Sequence, residues 1–315
     1  MQYQVLGNTG ISVSRLCFGA LTLGPLQANL NLREGAALLR YALEQGINFI
    51  DTAKLYGTYG YIKKALEGWN KPVIIASKSY DYTKEGMAAS LEEARKGLNR
   101  DYVDIFMLHE QESALTLAGH RAALEYLWEA KSKGIVKAVG VSTHAVEVVR
   151  VAALRDDIEV IHPLVNYRGL GIIDGTLPQM LAALQLAHEH GKGLYGMKAI
   201  GGGNLLANLK EALEFAFNNP YLHSVAVGCK MKEELDFNIL ILEGKSIPAG
   251  LSEKLESVPR KLFFEDWCTG CGACVEKCPS ALLEVRENKA RLKADGCLLC
   301  GYCGAACPQF AIKVI

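Results

Sequence analysis

Three short apolar stretches of this 315-residue chain end in side chains that can exchange protons. Asp51 and Tyr56 follow the first stretch, Lys78 follows the second, and His109 follows the third. A phenol has an unperturbed pKa of about 10, and a nearby ammonium lowers it by stabilising the phenolate. An aspartate would keep that ammonium charged and oriented, and a histidine can hold a carbonyl oxygen against the acid. Such a set suits protonation of a carbonyl oxygen while hydride reaches its carbon, or the reverse oxidation.

A regular alternation of apolar and amphipathic stretches must position these groups. The predicted strands cover residues 15–18, 48–50, 73–77, 103–108, 138–141, 160–165, 193–197 and 224–227. Helices with three-four apolar spacing are predicted at residues 33–44, 83–98, 122–133, 180–190 and 233–242. Eight such units, with continuous rather than alternating apolar strands, favour an α/β fold of the (β/α)₈ TIM barrel class. A doubly wound open sheet is the second choice.

The barrel gives the four groups a common location, since the carboxyl ends of its strands form one mouth. A single Asp, Lys or His at a strand end is usually an ion-pair partner or a cap, and a loop Tyr can simply pack. Four residues of types suited to proton transfer, at the ends of three consecutive strands, are less easily explained by chance than any one of them alone. We therefore predict that Asp51, Tyr56, Lys78 and His109 form a catalytic site.

Several short motifs resemble those of the aldo-keto reductase superfamily. They are Asp-Thr-Ala-Lys-Leu-Tyr-Gly at 51–57, Ala-Ser-Lys at 76–78, Met-Leu-His at 107–109, and the segments at 6–10, 13–16 and 139–142. The resemblance covers roughly residues 1 to 245. It implies a barrel closed at the bottom by an N-terminal hairpin. It also implies that Tyr56 is the general acid, Lys78 tunes it, Asp51 supports Lys78, and His109 positions the carbonyl of a small carbonyl or alcohol substrate.

The same resemblance implies NADP or NAD as the cofactor. Its predicted contacts are Ser142, Thr143, His162, Asn166, Lys198, Gly228, Lys230 and Asn238. The match departs from the family here, because Thr143 and His144 replace the usual Asn, and His162 and Val165 replace a Gln and a stacking Tyr. Glu234 stands where the family often has an Arg for the 2′-phosphate. Lys230 and Lys232 could compensate, and the three glycines at 201–203 could approach a phosphate or simply form a turn.

The C-terminal segment contains eight of the ten cysteines, arranged as an internal repeat. Each copy has the spacing Cys-x₂-Cys-x₂-Cys-x₃-Cys-Pro and resembles the bacterial two-cluster ferredoxin, whose fourth cysteine ligates the other cluster. One predicted [4Fe–4S] set is Cys268, Cys271, Cys274 and Cys307; the other is Cys297, Cys300, Cys303 and Cys278. Two structural zinc sites are the alternative metal assignment. The clusters could also serve only as a staple for a segment too small to fold alone.

The composition of the chain limits its expected partners and cellular location. The 34 basic and 34 acidic residues balance, which argues against a nucleic-acid or membrane-surface partner. No basic N-terminal segment leads into an apolar one, and no apolar run is long enough to span a bilayer. Cysteines at cluster spacing fit a reducing compartment, so we expect a cytoplasmic protein.

The predicted division of the chain is a barrel at residues 1–250, a linker helix at 251–261, and a small α+β ferredoxin-like domain at 262–315. Clusters transfer single electrons whereas nicotinamide exchanges hydride, so a flavin is a possible bridge between the two. The favoured function is an iron–sulfur oxidoreductase in which the clusters relay electrons, with an external electron donor or acceptor protein as a possible partner. The alternative is an electron-transfer or redox-sensing protein that uses the barrel as a scaffold.

Overall fold

A computed structural model describes all residues from Met1 to Ile315. A hairpin of β1 (Tyr3–Val5) and β2 (Ser12–Ser14) precedes a closed barrel of eight parallel strands, which confirms the predicted fold class. The barrel strands are β3 (Leu16–Gly19), β4 (Phe49–Asp51), β5 (Ile74–Ser79), β6 (Val103–Gln111), β7 (Val136–Thr143), β8 (Val160–Pro163), β9 (Gly193–Gly196) and β10 (Ser224–Val227). The order is sequential, and β10 pairs with β3 to close the barrel.

Helices surround the barrel, and four of them begin at side-chain caps. They are α1 (Leu32–Glu44), α2 (Tyr59–Leu66), α3 (Lys84–Leu98), α4 (Ala114–Gly119), α5 (Arg121–Ser132), α6 (Val146–Ala153), α7 (Leu177–Glu189), α8 (Leu209–Phe217), α9 (Lys232–Leu242) and α10 (Ala249–Glu256). The side chains of Asn31 and Thr83 accept backbone N–H groups at the starts of α1 and α3, and Ser113 and Thr116 form a capping box at α4. Such caps satisfy donors that a helix start leaves free.

Two apolar regions hold the barrel together. A large one lies between the helices and the outer faces of the strands, and a small one fills the interior. The hairpin contributes Leu6, Ile11 and Val13 to the interior, so it plugs the bottom as the resemblance implied. With the bottom closed, the opposite, carboxyl end of the strands is left as the mouth.

The C-terminal domain is built from two similar halves. Strand β11 (Leu262–Phe264) pairs antiparallel with β14 (Ile312–Val314), and β12 (Leu283–Arg286) pairs with β13 (Lys289–Leu292). The short helices α11 (Ala273–Glu276) and α12 (Tyr302–Ala306) each follow a glycine in the left-handed region, Gly272 at φ 83° and Gly301 at φ 80°. The cysteine repeat of the sequence is therefore also a structural repeat.

The predicted linker helix at 251–261 is wrong in extent. Helix α10 covers Ala249–Glu256, and Leu262 already begins β11. Pro259 accounts for the early end, because proline disfavours the helical conformation in the residue before it and cannot donate a backbone hydrogen bond. None of the helices is both long and apolar enough to cross a membrane.

The C-terminal domain packs against the loop that follows β9. The side chain of Asn204 donates a hydrogen bond of 2.8 Å to the carbonyl of Ile312, and the backbone carbonyl of Asn204 lies against Gly301. A Cβ at Gly203 would overlap the carbonyl oxygen of Val314. Because that loop lies at the carboxyl end of a barrel strand, the domain borders the barrel mouth.

Candidate active site and cysteine groups

A buried ion pair lies at the centre of the barrel mouth. Lys78 Nζ donates to both carboxylate oxygens of Asp51 at 2.8 Å and to the carbonyl of Thr52 at 2.9 Å. Asp51 is the last residue of β4 and Lys78 lies near the end of β5, so pairing of the two strands places them side by side. Both side chains are almost completely buried. The ammonium therefore lies where the sequence predicted it, and all three of its N–H groups are hydrogen-bonded.

Tyr56 and His109 meet beside this pair. The Lys78 ammonium is 4.9 Å from the centre of the Tyr56 ring, and the Tyr56 and His109 rings meet edge to face with centroids 5.7 Å apart. Tyr56 lies in a short 3₁₀ turn after β4, and His109 lies near the end of β6. The structure thus brings together all four side chains predicted for catalysis.

Burial opposes the lowering of the Tyr56 pKa that we expect from Lys78. Burial raises the pKa of the Tyr56 phenol well above 10, and the negative charges of Asp51 and Glu110 add to the increase. The physical reason is that desolvation of the buried phenol outweighs the opposite influence of the Lys78 ammonium, which is itself paired with Asp51. Tyr56 is therefore held in its protonated, proton-donating form.

His109 is held in the neutral form. Burial lowers its pKa well below 6.5, and the positive charges of Lys78 and Lys198 act in the same direction. Its Nδ1 atom is buried with no hydrogen-bond partner. A neutral imidazole can donate one hydrogen bond to a carbonyl oxygen without competing with Tyr56 as the acid.

Tyr195 was not predicted for the site. Its hydroxyl donates to Asp51 Oδ1 at 2.9 Å, and its ring stacks on His162 with centroids 3.9 Å apart. It is completely buried in the barrel interior. The sequence showed only that Tyr195 lies in an apolar strand. A tyrosine in such a strand normally packs in the core, so its role in the site could not be predicted.

A second aromatic contact covers the other side of His109. Tyr80 stacks on the imidazole with centroids 4.2 Å apart and donates its hydroxyl to Glu110. Glu110 Oε1 lies 3.6 Å from Nε2 of His144. Neither Tyr80 nor Glu110 was selected from the sequence, although Tyr80 closely follows Lys78 and Glu110 comes directly after His109.

Most residues predicted to contact a nicotinamide use their polar atoms within the chain. Ser142 Oγ accepts the backbone N–H of Glu110 at 2.8 Å. Thr143 Oγ1 donates to the carbonyl of Gln111 at 2.6 Å and accepts the N–H of Ala145. Both amide atoms of Asn166 bond to the backbone of Leu170 at 2.9 Å.

The imidazole of His162 is engaged in the same way. Its Nδ1 donates to the carbonyl of Tyr195 at 2.6 Å, and its Nε2 is 3.7 Å from Asp51 Oδ1. Burial lowers the pKa of His162 to about 4, so the ring is neutral near pH 7. This arrangement directs His162 toward the Asp51–Lys78 pair rather than toward an external amide.

The loop after β10 is closed by its own acidic residue. Glu234 Oε2 accepts the backbone N–H of Lys230 at 2.7 Å, and Glu234 Oε1 lies 3.8 Å from Arg260. Asn238 donates to the buried thiol of Cys229, and a Cβ at Gly228 would overlap the hydroxyl of Thr22. The backbone N–H of Lys230 and the side-chain amide of Asn238 are therefore already engaged within the chain.

Lys198 differs from the other predicted cofactor contacts. No hydrogen bond or ion pair engages its ammonium, which lies 5.0 Å from the ring centre of Phe310 in the C-terminal domain. Its backbone has a left-handed φ of 59°, and Glu110 and Phe310 have positive φ as well. Non-glycine residues with such dihedrals are often found at functional sites.

The first cysteine group has a donor set suited to an iron–sulfur cluster. Cys268 and Cys274 are buried in one apolar cluster, and Cys307 packs against it. Burial raises the pKa of Cys274, and charges on Cys307, Cys268 and Cys271 add to the increase. The N–H groups of Ala290 and Ala311 point at the sulfurs of Cys268 and Cys307 at 3.4 and 3.2 Å. Such N–H donors stabilise cluster thiolates.

The second group encloses a cavity. Cys278, Cys297, Cys300 and Cys303 all line it, together with apolar side chains that include Leu283 and Leu299. The N–H of Leu282 points at the sulfur of Cys278 at 3.4 Å, in the same relation as Ala311 to Cys307. In neither group do three thiols converge closely enough to hold a single metal ion, whereas a four-iron cluster needs its ligands farther apart.

Comparisons with known proteins cover both parts of the chain. Residues 15–239 match the aldo/keto reductase family, and residues 261–308 match the 4Fe-4S dicluster domain. Both agree with the resemblances found in the sequence. The dicluster match supports iron–sulfur clusters rather than the alternative zinc sites.

Individual relatives are more distant. The L-galactose dehydrogenase of Arabidopsis thaliana is 27% identical over 197 residues, which are 59% of this chain and 62% of the relative. An aldo-keto reductase of Bacillus subtilis is 27% identical over 163 residues, 47% of this chain and 48% of the relative. The chain thus spans less than two thirds of the length of these curated relatives. A solved aldo-keto reductase structure from Pseudomonas aeruginosa, 24% identical, has a TM-score of 0.66 and covers 77% of this chain and 94% of its own, which supports the fold.

Proposed function

The chain belongs to the aldo/keto reductase family of oxidoreductases and carries a 4Fe-4S ferredoxin domain, and from this premise we propose that it interconverts a carbonyl compound and its alcohol. The observation that carries the proposal is the meeting of Tyr56, Lys78, Asp51 and His109 at the barrel mouth. These residue types match the chemistry of carbonyl protonation, and membership of a family of oxidoreductases supports the proposal.

In the proposed reduction, the substrate carbonyl oxygen accepts a hydrogen bond from neutral His109 and a proton from Tyr56. The phenol proton moves to the oxygen and leaves a phenolate beside Lys78. The carbonyl also gains two electrons, which an external electron-transfer protein would supply one at a time, and its carbon gains a second proton from solvent. The ammonium, fixed 4.9 Å from the ring centre by Asp51, then stabilises the new negative charge. In the oxidation direction the phenolate would accept the hydroxyl proton of the alcohol.

The nicotinamide implied by the family enters no step of this proposal, because most of its predicted contacts, with the exception of Lys198, are engaged within the chain. A flavin is supported by neither of the two family matches. We propose that the C-terminal domain holds two [4Fe–4S] clusters, on Cys268, Cys271, Cys274 and Cys307 and on Cys278, Cys297, Cys300 and Cys303. When bound, such clusters accept and donate single electrons.

An external electron-transfer protein is part of the proposal as the redox partner. Cys300 is exposed, and two neighbouring apolar side chains, Leu298 and Tyr302, are 75% and 61% exposed. Exposed apolar groups beside a redox centre suit a transient protein contact. A cytoplasmic location stays a prediction.

The decisive experiment replaces Tyr56, the proposed general acid. Tyr56→Phe keeps the ring but removes the proton, so we expect the turnover of carbonyl substrates to fall by about 10²- to 10⁴-fold, the usual contribution of a general acid. Iron content should be unchanged. The matched control is Tyr82→Phe, which removes an exposed phenol of the neighbouring loop. Full activity of Tyr56→Phe across a panel of aldehydes and ketones would refute the proposed chemistry.

A further inference from the structure

The loops that follow the seventh and eighth strands of a TIM barrel frequently bind phosphate, with backbone N–H groups as donors. In this chain those are the loop at residues 197–208 after β9 and the loop at residues 228–231 after β10. A nicotinamide dinucleotide carries a diphosphate and would need such donors. The state of these two loops therefore decides whether the family's usual cofactor fits.

Most N–H groups of the glycine turn in the first loop are engaged within the loop, and only that of Gly202 has no partner. The N–H groups of Gly201, Gly203 and Asn204 donate to carbonyls of the same loop at 2.8, 3.0 and 3.2 Å. The turn is also covered from outside, because a Cβ at Gly202 would lie 2.7 Å from Lys313 Cδ and one at Gly203 would overlap the carbonyl oxygen of Val314. The glycines thus allow close approach of the C-terminal domain rather than of a phosphate.

The second loop already contains an anion. The carboxylate of Glu234 accepts the backbone N–H of Lys230 at 2.7 Å, as a phosphate oxygen would. Arg260, in the segment that leads to the C-terminal domain, lies 3.8 Å from the same carboxylate. The ammonium of Lys232 lies 4.7 Å from the ring centre of Tyr41 and contacts that ring rather than this loop.

We propose that the barrel does not bind a nicotinamide dinucleotide while the C-terminal domain is docked, because the chain's own residues fill both phosphate loops. The proposal goes beyond the carbonyl chemistry and is independent of Tyr56. It explains why the residues predicted for the nicotinamide, including Ser142 and Asn166, have internal hydrogen-bond partners.

The test measures NADPH binding to the full-length, cluster-loaded protein by nucleotide fluorescence under anaerobic conditions. Wild type should show no saturation up to about 1 mM, the upper end of usual KM values. The double variant Gly203→Ala, Glu234→Ala disturbs the docked contact and frees the Lys230 N–H, so its affinity for NADPH should be at least tenfold higher. The matched control is Gly250→Ala, Glu253→Ala on α10, where a Cβ at Gly250 meets no atom within 4 Å.

A second measurement avoids dependence on a variant that folds poorly. Hydrogen exchange of residues 310–314 in wild type should be the same with and without NADPH. Saturable NADPH binding to wild type with these residues still protected would overturn the proposal. So would a folded double variant, with full iron content, that binds NADPH no better than the control. Because binding and not turnover is measured, either result is separate from the outcome of Tyr56→Phe.

Discussion

At the scale of single residues, Asp51 organises the active site. Its carboxylate receives hydrogen bonds from Lys78 and Tyr195 and lies near His162. A charge buried to this extent is tolerated only when it is paired and hydrogen-bonded. The removal of one partner therefore has consequences for stability as well as for catalysis.

Lys78→Met should destabilise the protein by about 3–5 kcal/mol, because it leaves the buried Asp51 carboxylate without its counter-charge. Equilibrium denaturation in urea measures the change. Lys64→Met is the control, since the Lys64–Glu67 pair is exposed and worth no more than about 1 kcal/mol. Adding Asp51→Asn to Lys78→Met should restore much of the loss. Equal effects of Lys78→Met and Lys64→Met would contradict the assigned role of the buried pair.

The pH dependence of turnover follows from the two perturbed groups. Because the pKa of Tyr56 is raised, the phenol stays protonated above its ordinary value of about 10. Because the pKa of His109 is lowered, the imidazole stays neutral below its ordinary value of about 6.5. The rate of carbonyl reduction should therefore be flat between about pH 6.5 and 9 and fall only at higher pH. A pH–rate profile with a limb centred inside that interval would show that another group controls the step.

At the scale of elements, the C-terminal domain repeats one small unit twice. Each unit has a left-handed glycine before a short helix, then a cysteine whose sulfur accepts the N–H four residues later, from Leu282 or Ala311. The fourth cysteine of each repeat lies close to the other half of the domain. Each proposed cluster thus ties the two halves together.

Cys307→Ala tests this crossed arrangement. Two [4Fe–4S] clusters carry about eight iron atoms, and removal of Cys307 should reduce the content to about four by disturbing the set with Cys268, Cys271 and Cys274. Iron analysis and electron paramagnetic resonance after anaerobic purification measure the loss. Cys17→Ala, which removes a thiol completely buried in the barrel, should keep all the iron. Full iron content in Cys307→Ala would exclude this cysteine as a ligand.

At the scale of the whole molecule, the two domains share one close contact beside the active site. Glycines on both sides let backbones approach, with Gly203 against Val314 and Gly301 against Asn204. Lys198 of the barrel and Lys313 of the C-terminal domain both lie against the ring of Phe310. The contact is therefore part of the wall of the barrel mouth.

Asn204→Ala should weaken this contact. Its side chain donates to the carbonyls of Gly201 and Ile312 at 2.9 and 2.8 Å, and it is 7% exposed. Loss of the second bond leaves a buried carbonyl unsatisfied, which costs about 1–3 kcal/mol. Hydrogen exchange at Ile312–Val314 should accelerate. Asn218→Ala, at an exposed helix end, should change stability by no more than about 0.5 kcal/mol, and equal exchange in both variants would remove Asn204 from the interface.

The sequence alone determined the barrel, the four groups at its mouth and the ferredoxin-like repeat. Each follows from local information, since apolar runs define strands, strand order fixes which ends meet, and cysteine spacing identifies cluster ligands. The extents of elements were less certain, as the early end of α10 at Glu256 shows.

Only the tertiary structure decided the environment of these groups. It placed Tyr195 on Asp51, buried Tyr56 so that the pKa of its phenol is raised, and brought Glu234 and the C-terminal domain against the two phosphate loops. The three glycines at 201–203 could have held a phosphate or formed a turn, and the structure shows them against the C-terminal domain. Burial and pairing depend on residues that are far apart in the chain, so no local pattern could reveal them.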